Sequence, residues 1–133
     1  MKRLLFIFSL MTAALFFMNF SQPTELADEN PSEKQTIEIP ENVQEILDNS
    51  CYGCHNSESK NDKGRMKLKF DKFNDYKTHK AIGKLLDISE VVAENEMPPS
   101  KILKKYPNMT LSDEQKETLS EWATETAKSL AGD

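Results

Sequence analysis

The chain has 133 residues, with 17 basic and 22 acidic side chains, a formal net charge of -5 and two cysteines. That length allows one small domain with extensions, and the acidic balance argues against nucleic acid as a partner. So short a domain buries little apolar surface by itself, and a large bound group as part of its core makes physical sense.

Met1-Lys2-Arg3 and the apolar run from Leu4 to Met18 have the charge and length of an export signal, shorter than the roughly 20 residues of a spanning helix. Residues 1–22 are therefore expected to be removed on export, with an uncleaved N-terminal anchor as the alternative. Losing Lys2 and Arg3 takes the net charge from -5 to -7, because no acidic residue lies in that segment. Residues 23–40 are polar and acidic and read as a flexible leader. The domain is expected over 41–131, in the periplasm or another exported compartment, touching a membrane only if the signal is retained.

The first helix is predicted over 41–50, beginning after Pro40, with Val43, Ile46 and Leu47 at helical spacing. It delivers Cys51-Tyr52-Gly53-Cys54-His55, a Cys-x-x-Cys-His sequence that uses both cysteines of the chain. This is the attachment pattern of c-type haem. Two thiols three positions apart can reach both vinyl groups of one porphyrin, and the following histidine is carried under the ring as the proximal iron ligand. A redox dithiol of the thioredoxin kind would follow a strand, and no strand run precedes Cys51. A zinc site would need four ligands, and only Cys51, Cys54, His55 and His79 offer sulfur or imidazole donors. A plain Cys51–Cys54 disulfide is the remaining alternative.

Residues 56–69 read as a polar loop with a short apolar return, followed by a turn or short helix over Phe70 to Tyr76. A helix is predicted over 80–94, with Ile82, Leu85, Leu86, Ile88, Val91 and Val92 as its apolar face and Pro98-Pro99 as its stop. The last helix is predicted from Ser112, where Ser112 and Gln115 form a capping-box pattern, to Leu130, with Leu119, Trp122, Ala123 and Thr126 on one face. No alternating strand pattern occurs, so the domain is expected to be all-α.

A second axial ligand is sought among Met66, His79, Met97 and Met109. Met97 is favoured, because Pro98-Pro99 stiffen the loop that carries it and a stiff loop can hold a thioether against iron. Methionine as mere core filler is the competing reading, as is a water-bound or open sixth position. His79 lies among polar neighbours and reads as exposed, whereas Met66 and Met109 read as packing residues. Lys60, Lys63, Arg65, Lys67, Lys69 and Lys72 form a basic cluster that reads as a solvated face, or as a surface that steers an acidic redox partner or neutralises haem propionates.

Val43, Ile46 and Leu47 ahead of the cysteine motif, Lys67-Leu68-Lys69-Phe70 with Phe73 and Tyr76, Glu96-Met97-Pro98-Pro99, and Leu111-Ser112-Asp113-Glu114 leading to Trp122 carry a resemblance. Together they resemble the small haem-binding-domain family of exported bacterial proteins, a group related to monohaem class I cytochromes c. The resemblance covers about residues 41–128. It implies a cytochrome c-like helical domain wrapped around one haem c, with Cys51 and Cys54 attached to it, His55 proximal and Met97 distal. The expected function is one-electron transfer between a donor and an acceptor protein rather than turnover of a substrate. The alternative is a haem-based ligand sensor or weak peroxidase with an open sixth position.

Overall fold

The computed structural model describes residues 36–132. The expected export signal and residues 23–35 of the expected leader lie outside the described residues. Helix α1 spans Glu41–Ser50 and starts directly after Pro40, whose fixed φ of -59° suits the chain entering a helix. Val43, Ile46, Leu47 and Ser50 are its buried positions, spaced at three, one and three residues as one helical face requires. Helix α2 (Asp62–Lys67), a 3₁₀ segment (Phe70–Asp75) and helix α3 (Thr78–Ala93) follow, then α4 (Ser100–Leu103), a 3₁₀ turn (Pro107–Met109) and α5 (Asp113–Ala131). No strand occurs among the described residues, and the domain is all-α as expected.

The principal pair is α3 with α5, and α1 packs against α5. Along α3 the buried residues are Ala81, Leu85, Ile88 and Val92; along α5 they are Leu119, Trp122, Ala123 and Ala127. Leu85, Leu119 and Ala123 have no exposed surface at all. At α5 the capping box forms as predicted: Gln115 N–H donates to Ser112 Oγ at 3.2 Å, and Ser112 N–H donates to Gln115 Oε1 at 2.9 Å. The helix ends at Gly132, whose φ of 86° is the left-handed cap conformation that glycine adopts without strain.

The chain approaches α1 along a pinned path. Ile37 is buried, its N–H donates to Asn74 Oδ1 at 2.7 Å, and Trp122 Nε1 donates to the Glu38 carbonyl at 3.1 Å. Trp122 thus combines a large apolar body with a satisfied polar tip.

Four local expectations are corrected. The polar stretch after the motif contains helix α2, started by Asn61, whose side chain accepts from Gly64 N–H at 3.0 Å; one cap suffices to begin a helix that composition alone reads as loop. Leu86 is 49% exposed, because one step along a helix turns it about 100° from buried Leu85. The stop of α3 is not Pro98-Pro99. It comes earlier, at Asn95, whose positive φ of 59° turns the chain so that Glu96 and Met97 N–H both donate to the Val91 carbonyl. Met66 is 82% exposed and packs nothing, since it lies on the outer face of α2 while Gly64 faces inward.

These packing differences set a test by chemical denaturation of the domain. Leu85→Ala should cost about 2–5 kcal/mol, because it opens a cavity at a site with no solvent access. Leu86→Ala, one residue away, should cost no more than about 0.5 kcal/mol.

Candidate functional site

The cysteine motif is a tight turn grown from the end of α1. Cys51 and Tyr52 N–H both donate to the Leu47 carbonyl, at 2.8 and 2.7 Å, and Cys54 and His55 N–H both donate to the Cys51 carbonyl at 3.1 Å. The backbone of the motif is therefore fixed by the helix before it. Phe70 N–H donates to the His55 carbonyl at 2.9 Å, and the Phe70 ring stands edge-on to the imidazole with centroids 6.4 Å apart.

His55 is held in one tautomer. Its Nδ1 lies 3.0 Å from the Gly64 carbonyl, which can only accept, so Nδ1 carries the proton and Nε2 keeps a lone pair. Burial lowers the imidazole pKa from its ordinary value, against the opposing pull of the Gly64 and Leu68 carbonyls, and favours the neutral form that binds metal. Gly64 must be glycine here: a Cβ would meet the Cys54 carbonyl oxygen at 2.5 Å.

Met97 lies on the turn that closes α3. The double acceptance by the Val91 carbonyl fixes its backbone, and the Met97–Pro98 peptide is cis. Pro98 is buried and Pro99 is the N-cap of α4, so the two prolines build the next element.

Cys51, His55 and Met97 line one cleft of about 370 Å³, a volume in the range of small-molecule and cofactor sites. Leu68, Phe70, Ile88, Val92 and Leu119 form much of its wall. Charge is supplied by Lys67, Lys84, Asp87 and Glu96, with Lys84 Nζ 3.0 Å from Asp87 Oδ2. Cys54 is half-buried and outside the lining, one residue before His55. Both cysteines are free thiols, and burial pushes the Cys51 thiol up to about 12, with Cys54 adding to the rise.

The other ligand candidates stay apart from this cleft. His79 is exposed, Met66 points outward and Met109 is half-buried elsewhere. No group of three His, Cys, Asp or Glu side chains able to hold a metal ion occurs among the described residues, which leaves the zinc reading without a ligand set. Of the six residues in the basic cluster only Lys67 lines the cleft, while Lys84, which was not singled out, joins it from α3. Gly64 and Asn61 were also missed as site residues. The signal was legible in Asn61-Asp62-Lys63-Gly64, a cap residue three positions before a glycine.

The haem-binding domain family matches residues 58–125, just over half of the chain, and the chain belongs to that family. The match takes in α2 through most of α5 and includes Met97; it begins three residues beyond His55. No curated protein and no solved structure matches the chain. The cleft fits a haem on chemical grounds: the His55 imidazole, whose Nε2 keeps a lone pair, and the Met97 thioether are side-chain types that bind haem iron, and they share the cleft with Cys51 and the apolar Leu68, Phe70, Ile88, Val92 and Leu119.

In the haem-free chain, nitrogen NMR should find His55 as the Nδ1–H tautomer, titrating below 6.5. Because the folded pKa is depressed, the stability this group contributes above pH 6.5 should be lost as the pH falls through the folded value. For Cys51 the sign is opposite. Its folded pKa is raised, so its contribution is complete below about 9 and should disappear between about 9 and 12; Cys51→Ala should remove that alkaline loss in a denaturation series across pH.

Proposed function

We propose that this member of the haem-binding domain family is an exported c-type monohaem cytochrome of cytochrome c-like fold, carrying single electrons between a donor and an acceptor protein. The observation that carries the reading is that His55 and Met97, 42 residues apart in sequence, line the same cleft together with Cys51. Cys51 and Cys54 would take the haem vinyl groups as thioethers, so the cofactor could not dissociate. His55 would bind iron through Nε2, and Met97 through its sulfur. When bound, haem supplies an iron that passes between ferric and ferrous states, and a His/Met ligand pair favours the ferrous state relative to two histidines.

The rest of the chain's contribution is to hold these groups still and dry. Phe70, Leu68 and Leu119 wall the cleft with apolar surface, and the hydrogen bond from His55 Nδ1 orients its ring. If His55 and Met97 both bound the iron, they would leave no coordination position for a substrate, and that favours the carrier reading over an enzyme. Export is supported by Met1-Lys2-Arg3 and the apolar run after it, which have the charge and length of an export signal.

Co-expressed with c-type maturation machinery, the protein should retain haem stain through a denaturing gel, and the Cys51→Ala, Cys54→Ala double variant should lose it. Haem that stays with the double variant on that gel would refute covalent attachment. Met97→Ala should abolish the weak sulfur-to-iron absorption at the red end of the ferric spectrum, lower the potential and admit carbon monoxide to the ferrous iron. Ready carbon monoxide uptake by the unaltered protein would instead favour the ligand sensor or weak peroxidase.

A further inference from the structure

A closed run of hydrogen bonds joins α2 to the cysteine motif. Ser59, one of two buried polar residues among those described, donates from Oγ to the Gly53 carbonyl at 3.0 Å and accepts from Asn61 N–H at 3.1 Å. Asn61 then holds both peptides that flank Gly64. Its Oδ1 accepts from Gly64 N–H at 3.0 Å, and its own carbonyl accepts from Arg65 N–H at 2.9 Å, the amide of the same peptide plane as the Gly64 carbonyl. That carbonyl accepts the His55 Nδ1 proton at 3.0 Å and the Leu68 N–H at 3.1 Å. Glycine has the freest backbone of any residue, so a carbonyl at Gly64 keeps a fixed direction only if its neighbours are tied.

We infer that Asn61 is a positioning residue for the proximal imidazole, aiming the Gly64 carbonyl at His55 Nδ1 and thereby setting how strongly His55 donates to bound haem iron. The inference rests on the ligand assignment given under Proposed function. A partner that accepts the distal proton of a metal-bound histidine fixes the ring and raises its basicity, and a more basic ligand favours the ferric state. Asn61 touches neither the cleft nor the ring, so its effect passes entirely through Gly64.

The test uses the haem-loaded protein. In Asn61→Ala, the His55 Nδ1 proton of the ferrous protein should exchange with solvent faster, and the reduction potential should rise. Asn61→Ser, which keeps a side-chain acceptor for the third amide of α2, should hold both near the unaltered values. Ser59→Ala loosens Asn61 from the other side and should move both in the same direction as Asn61→Ala by a smaller amount. A cap with no role beyond helix α2 predicts a lower unfolding midpoint for Asn61→Ala with the proton exchange and the potential unchanged, and that result would overturn the inference. The failure of the underlying assignment is distinguishable: a His55 ring without the large upfield ring-current shift of an iron-bound imidazole would overturn the ligand assignment and this inference with it.

Discussion

Leu85 on α3 and Leu119 on α5 have no solvent-exposed surface, and the seam they occupy decides where everything else can go. Ala81 on α3 and Ala123 and Ala127 on α5, all buried, provide the small side chains that let two helices approach closely. Packing along this seam fixes both helices as rigid rods. The cleft is what is left beside them: Ile88, Val91 and Val92 of α3 and Leu119 of α5 turn one flank of the pair toward the motif, and α1 packs against α5 to bring the motif opposite.

The two expected iron ligands reach that cleft by different routes, and each is tied down at its backbone. His55 follows α1 through hydrogen bonds to the Leu47 and Cys51 carbonyls, while Met97 hangs on the Val91 carbonyl at the end of α3. Side chains carried on helix ends are held more precisely than side chains on free loops. Behind His55 runs a chain of aromatic rings. Phe70 stands edge-on to His55 and to Phe73, and Phe73 in turn contacts Tyr76 and Trp122, so the ring that would bind iron is buttressed through to the packed centre of the domain.

Short polar elements were the least legible. Helix α2 has six residues, five of them charged or glycine apart from Met66, and no apolar periodicity marks it. It exists because Asn61 caps it and because Gly64 fits against Cys54, a contact between segments that no local pattern encodes. The basic cluster shows the same limit. Charge alone gave six equivalent candidates, and only the direction of α2 selects Lys67 for the cleft while α3 adds Lys84. Met66, apolar by type, is driven outward by that same helical phase.

The sequence by itself determined a first helix over 41–50, a last helix beginning at the Ser112 cap and the all-α class, and it singled out Cys-x-x-Cys-His as the candidate site, because helical period, capping chemistry and that motif are all written within a few neighbouring positions. Only the tertiary structure decided that Met97 rather than His79, Met66 or Met109 shares a cleft with His55, and that Asn61 and Gly64 stand behind the imidazole. His55 meets Gly64 from 9 positions away and Met97 from 42, across different elements. Their geometry comes from how α3 and α1 pack against α5, which is a property of shape and burial summed over the domain.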